Sequence, residues 1–159
     1  MKLLIFSDSH GQMEPMTRAV LAQSPDIVIH LGDYVRDAEE LRARFPQMAL
    51  VSVRGNCDFA CGTPEHAEFF AGPVRVFACH GHRYGVKTGL DALLNAGHFS
   101  GAGLVLYGHT HIARHLSVSG MEVLNPGPAG KSCAVAEISD AGAIVCRLLD
   151  LTAPSAPDR

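Results

Sequence analysis

Five short clusters carry side chains that bind hard and borderline metal ions: Asp8-Ser9-His10, Gly32-Asp33, Gly55-Asn56-Cys57-Asp58, His80-Gly81-His82 and Gly108-His109-Thr110-His111. They supply a candidate ligand set of Asp8, His10, Asp33, Asn56, His80, His109 and His111. The set mixes imidazole, carboxylate and amide oxygen and contains no thiolate, which suits Mn²⁺, Fe²⁺, Zn²⁺ or similar ions. Seven ligands are too many for one ion, so two ions sharing the Asp33 carboxylate are expected. Two divalent cations carry more positive charge than Asp8 and Asp33 return. The centre would therefore keep a positive field that attracts a phosphate. Two metals about 3.5–4 Å apart can share a hydroxide nucleophile and clamp an in-line phosphoryl displacement. His10, Asn56 and His109 would border the reacting phosphorus and steady the developing charge.

The spacing supports convergence. In Asp8-x-His10 and His109-x-His111 the side chains stand at i and i+2, so extended backbone would point each pair to one side. Gly108 would let the chain turn sharply before His109. Each cluster also has a plainer explanation. Asp8 and His10 fit a helix N-cap region, Asp33 a turn, and Asn56 a left-handed turn. His109 and His111 could form a polar turn. Five such clusters in one chain outweigh the separate explanations, because a motif gains weight from its context.

The remaining polar residues are less specific. His30 lies inside an apolar run and reads as a satisfied core histidine. His66 and His115 read as surface or strand-face residues, and His98 as a residue just past a helix end at Ala96-Gly97, favoured there by the dipole. His82 stands two residues beyond His80, either at the pocket edge or outside it. Arg83, Tyr84 and Lys87 follow in a loop, where a cation could hold a phosphate oxygen or simply be solvated. Asp58 could orient a neighbouring ligand.

Each cluster follows a strand-like run: 2–6 (KLLIF), 26–31 (DIVIHL), 48–53 (MALVSV), 74–79 and 104–107. Ligands gather at the carboxyl ends of strands in α/β sheets. Helical periodicity over 13–22 and 37–45 separates the first three runs, which implies right-handed crossovers and parallel strands. Gly72-Pro73 would turn a hairpin between 68–70 and 74–79, and 88–96 reads as a helix. Strands over 113–118, 122–124, 133–138 and 144–151 then form an antiparallel end. The expected architecture is α/β: two sheets face to face with helices outside, as one domain over 1–151 and a frayed tail over 152–159.

Composition agrees. The chain has 159 residues, 47% of them hydrophobic, and a net charge of -3. That supports a sizeable core and argues against a nucleic-acid stripe or polybasic membrane patch. The apolar run at 3–6 is too short for a membrane span or signal-peptide core, so a cytoplasmic protein is expected. Five cysteines without paired C-x-x-C units argue against a disulfide framework or structural zinc. Cys79, Cys133 and Cys146 lie in apolar runs and read as buried hydrophobes. A homo-oligomer is a further possibility, since dimers are common.

Taken together, DSH, GD, GNCD, HGH and GHTH resemble the calcineurin-like metallophosphoesterase superfamily, and most closely its compact bacterial and archaeal phosphodiesterase branch. The resemblance spans 1 to about 151. It implies a four-layer α-β-β-α sandwich and a dimetal site. Asp8, His10, Asp33 and His111 would hold one ion, and Asp33, Asn56, His80 and His109 the other. Manganese is the expected metal, with iron, nickel, zinc or cobalt as alternatives. The implied activity is hydrolysis of a small phosphodiester. The alternatives are a phosphomonoesterase and a protein-interaction scaffold, since a eukaryotic retromer subunit resembles the same fold and binds partners through its surface. The scaffold's distinguishing feature is loss of metal-site histidines, and here every ligand position is competent. Two departures stand out. Many members have histidine after the asparagine, placed to protonate the leaving group. Here Cys57, a thiol with an ordinary pKa of about 8.5, occupies that position. Asn125-Pro126-Gly127-Pro128 lacks the serine that the branch usually has after the glycine.

Overall fold

A computed structural model describes residues 1–59 and 61–152. In chain order the elements are β1 (Lys2–Phe6), α1 (Met13–Gln23), β2 (Ile27–His30), α2 (Val35–Arg44), β3 (Ala49–Ser52), β4 (His66–Ala71) and β5 (Val74–Cys79). Then come α3 (Asp91–Ser100), β6 (Leu104–Leu106), β7 (Arg114–Val118), β8 (Met121–Asn125), β9 (Ser132–Ile138) and β10 (Ile144–Asp150). Most of the expected tail, 153–159, lies outside the described residues.

The strands form two mixed five-stranded sheets, ordered β10-β9-β1-β2-β3 and β4-β5-β6-β8-β7. The first three strands are parallel, as their helical crossovers require. The Gly72-Pro73 turn joins β4 and β5 as an antiparallel hairpin in which Ala71 faces Val74. The strand-rich end is only partly antiparallel, however. β7–β8 and β9–β10 pair that way, but β8 inserts parallel beside β6.

The period-two alternation of the strands sorts three cores into layers. Leu3 and Ile5 of β1 meet Val76, Leu104 and Leu124 of the other sheet between the two sheets. Leu4 and Phe6, on the opposite face of β1, pack under α1 and α2 with Met16, Val20 and Leu41. Phe77, Val105 and Val123 do the same under α3 with Leu93. The result is the expected four-layer α-β-β-α sandwich.

Helix α3 differs from expectation. It starts at Asp91, after a turn bounded by Gly85 and Gly89, and runs to Ser100 with Gly101 as its left-handed C-cap. His98 therefore sits inside the last turn. No described helix is long and apolar enough to cross a membrane.

Candidate metal centre

All seven candidate ligands meet where the strands of both sheets end. His80 is the hub. Its Nε2 lies 3.1 Å from Asn56 Oδ1, 3.4 Å from Asp33 Oδ1 and 3.9 Å from Asp8 Oδ1. Its ring centroid is 5.0 Å from that of His109. On the other side of Asp8, His111 Nε2 approaches Oδ1 to 3.1 Å, and the His111 and His10 rings are 5.6 Å apart. Asp8, His10 and His111 form one group able to surround an ion, and Asp8, Asp33 and His80 a second.

The hydrogen bonds leave this cluster rich in lone pairs. His80 Nδ1–H donates to Leu31 O at 2.8 Å, an assignment made from the network. Nε2 then faces Asp8, Asp33 and Asn56 with a lone pair, so four acceptors confront one another. Asp8 Oδ2 accepts from Ser7 Oγ and from the His109 amide. Among the described residues, Asp8 Oδ1 is buried without a hydrogen-bond partner. Buried unpaired carboxylate oxygens are costly, so a cation among these groups fits the donor set. Burial acts to raise the Asp33 pKa, but the hydrogen bond from the Cys57 amide outweighs it and holds the carboxyl below its usual range. Asp33 is thus ionised at neutral pH.

Convergence does not come from extended backbone. Asp8, His10, Asp33, His109 and His111 all have positive φ, at 52°, 45°, 56°, 68° and 58°. Non-glycine residues rarely adopt this region, and strain of this kind gathers at functional sites. Gly108 also plays a different part from the one expected, since its φ is not among the positive ones. A Cβ there would overlap Ser7 Oγ, so the glycine lets the β6 loop lie directly on the β1 loop. Gly55 gives the same clearance for Asp33.

A polar frame holds these loops, and most of it escaped the sequence reading. Asp37, buried on α2, accepts from Ser9 Oγ and the Gly11 amide, both at 2.7 Å. His30 is fully buried and bonded. Its Nδ1 accepts from the Gly32 amide and Nε2 lies 2.9 Å from Ser9 Oγ. Burial pushes its pKa down to about 4, so it stays neutral. Asn125 Nδ2 donates to Gly108 O and Thr110 Oγ1. Ser132 Oγ closes the Asn125–Pro128 loop by donating to Pro126 O. Asp58, expected to orient a neighbour, accepts from the Tyr34, Val35 and Gly55 amides at 2.8 Å. No local signal marked Asp37, which read only as the first residue of the helix over 37–45.

The outlying polar residues sort clearly. His82 lies beside the cluster, its ring 5.4 Å from His80 and 6.1 Å from His109, with Nδ1 buried and unpartnered. Burial first, and then the Arg83 charge, lower its pKa. Arg83 is neither free nor at the cluster, since it pairs with Glu65 at 2.7 Å beside Arg54. Burial and the Asp33 contact raise the Cys57 pKa, which makes the thiol a still weaker acid. His115, Glu122 and Cys146 form another group on β7, β8 and β10, in which His115 and Glu122 already pair across the hairpin.

A four-layer sandwich with carboxylates and histidines gathered at the strand ends defines a metallophosphoesterase. Residues 1–145 match the calcineurin-like phosphoesterase superfamily domain, and the chain belongs to that family. It is 34% identical over 130 residues to "Probable metallophosphoesterase YsnB" of Bacillus subtilis, covering 80% of this chain and 74% of that protein. A predicted phosphoesterase from Streptococcus pneumoniae superposes with a TM-score of 0.77 at 26% identity, over 98% of this chain and 92% of the other. Zinc-bound Vps29 from Entamoeba histolytica shares the fold, with a TM-score of 0.75 at 21% identity, over 95% and 99% of the two chains.

Proposed function

We propose that this protein is a dimetal phosphodiesterase acting on small phosphate esters. The observation that supports it most is the confrontation of His80 Nε2 with three oxygen acceptors, one of them the Asp8 Oδ1 that has no hydrogen-bond partner among the described residues. Asp8, His10, Asp33 and His111 would hold one ion, and Asp33, Asn56, His80 and His109 the other. Bound divalent cations would supply Lewis-acid charge and a lowered water pKa; manganese is the ion we favour.

The chain's own groups prepare the site. The Leu31 carbonyl fixes the His80 tautomer. The Ser7 hydroxyl and His109 amide occupy Asp8 Oδ2 and turn Oδ1 inward. His10, Asn56 and His109 border the position of the phosphoryl group. Cys57 is a poor proton donor at neutral pH, so esters with good leaving groups should react fastest.

The test is hydrolysis of bis-p-nitrophenyl phosphate and p-nitrophenyl phosphate by manganese-reconstituted protein. We expect the diester to be preferred, and Asp33→Asn and His109→Ala each to lower kcat/KM by at least about 100-fold, or ~2.7 kcal/mol. Activity that survives both substitutions would eliminate the proposed centre. Metal binding without turnover of any ester would favour the scaffold reading.

A further inference from the structure

Beside the metal centre lies a cleft of about 580 Å³ that no part of the hydrolytic scheme uses. Its volume falls within the range of small-molecule sites. Tyr34, Arg36, Cys57 and Phe59 line it, and Glu39 and Thr63 add hydrogen-bonding groups. Two of these residues touch the candidate ligands. The Tyr34 ring packs edge-on against His10, centroid to centroid 4.8 Å. The Cys57 amide binds Asp33 Oδ1 at 2.9 Å. The cleft therefore begins where the metal cluster ends.

Three side chains of its wall lie outside the three cores. Tyr34 has φ 76°, a genuine outlier for a bulky side chain. This conformation carries its ring to the boundary between His10 and the cleft. The Arg36 guanidinium lies over that ring at 4.9 Å. Phe59 is 85% exposed and belongs to none of the three cores. A strained tyrosine and a solvated phenylalanine contribute nothing to the core, yet both present aromatic surface to a cleft beside the phosphoryl position.

The geometry points to this cleft as the subsite for the organic group of the phosphate ester, and to a planar aromatic group, an aryl ring or a nucleobase, as its occupant. The assignment rests on the phosphoester reading above. Stacking suits such a group because any aromatic face can meet Tyr34 or Phe59. The hydrogen-bonding groups of Glu39 and Thr63 favour a base over a bare phenyl ring. Tyr34 and Phe59 are then specificity residues: they select the ester without taking part in bond cleavage.

Phosphonates test this without turnover, because their P–C bond is not hydrolysed. Affinities of manganese-loaded protein for methylphosphonate, phenylphosphonate and the 5′-methylenephosphonate analogue of AMP would be measured by calorimetry. Both aromatic compounds should bind at least about ten-fold more tightly than methylphosphonate, or ~1.4 kcal/mol, with the adenine compound the tighter. Phe59→Ala and Tyr34→Ala should each bring the aromatic-to-methyl ratio toward one, and Phe59→Trp should keep it. If methylphosphonate binds and the aromatic compounds bind no better, the subsite is wrong and the phosphoryl centre stands. A preference that persists unchanged in both alanine variants places the aromatic group elsewhere and also overturns the assignment. If no phosphonate binds, the phosphoester reading falls and takes this one with it.

Discussion

At the scale of single residues, two buried histidines show how hydrogen-bond partners decide a role. His80 spends its proton on a backbone carbonyl and turns a lone pair toward carboxylates. His30 accepts from a backbone amide and faces only a hydroxyl. Burial leaves His30 neutral, with a pKa of about 4 against 6.5 for the free side chain. The sign of the consequence follows from linkage. Between these values the unfolded chain binds a proton that the folded protein does not, so stability falls with falling pH. Metal-free protein should lose about 2 kcal/mol through His30 alone between about pH 7 and pH 5. Urea unfolding of the wild type and His30→Gln measures it: the variant's pH dependence should be smaller by that amount. Equal dependence in the two proteins would show that His30 titrates normally. The chemistry of the cluster was legible in residue types because imidazole, carboxylate and amide are recognisable in any conformation. The backbone that aims them was not. Positive φ at Asp8, His10, Asp33, His109 and His111 is favoured by Asp and His only weakly, too little to be read at any one position.

At the scale of elements, α2 is the junction of the site. Its N-terminal amides, Tyr34 and Val35, have no local side-chain cap. Asp58 reaches from the loop after β3 to accept from both, and its second oxygen takes the Gly55 amide. From the first turn, Asp37 holds the loop after β1. One helix end thus fixes three ligand-bearing loops. Bonds from amides to a charged acceptor are worth about 1.5–3 kcal/mol each, and the dipole adds to them. Asp58→Ala should lower unfolding stability by about 2–4 kcal/mol and weaken manganese binding, while Asp58→Asn should lose less of each. Thermal denaturation and metal titration check this; an Asp58→Ala protein with wild-type melting and affinity would remove Asp58 from the frame. The elements themselves were largely readable. β1 and β5 match the runs read from the sequence, because largely buried strands are largely apolar and only Lys2 and Arg75 break the pattern. α3 was misplaced since Gly97 looked like a helix end. In the structure it instead gives Val105 room to pack against the helix. The parallel insertion of β8 beside β6 was hidden because pairing between distant strands leaves no mark on either sequence.

At the scale of the molecule, the candidate ligand cluster joins the two sheets. Asp8, Asp33 and Asn56 follow β1, β2 and β3 of one sheet, while His80, His109 and His111 follow β5 and β6 of the other. Without a cation, the inward-facing acceptors repel across the top of the inter-sheet core. A cation bound there would be held by ligands from both sheets, so metal affinity would become folding stability. An ion that binds only the folded state adds stability in proportion to the logarithm of its free concentration. Well above the dissociation constant, one bound ion contributes about 1.4 kcal/mol per ten-fold rise and two ions about 2.7. Denaturant unfolding across a buffered manganese series therefore counts the ions. The proposed dimetal centre requires the steeper slope, and a slope near the lower value would mean that one ion suffices. Asp33→Asn weakens the shared ligand, so its slope should be shallower than the wild type's. Its metal-free stability at neutral pH should be lower than the wild type's, because the fold holds the Asp33 carboxyl below its usual pKa through the Cys57 amide and that contribution is lost with the charge. A stability curve flat in manganese would dissolve the link between the sheets' packing and the ligands at their strand ends.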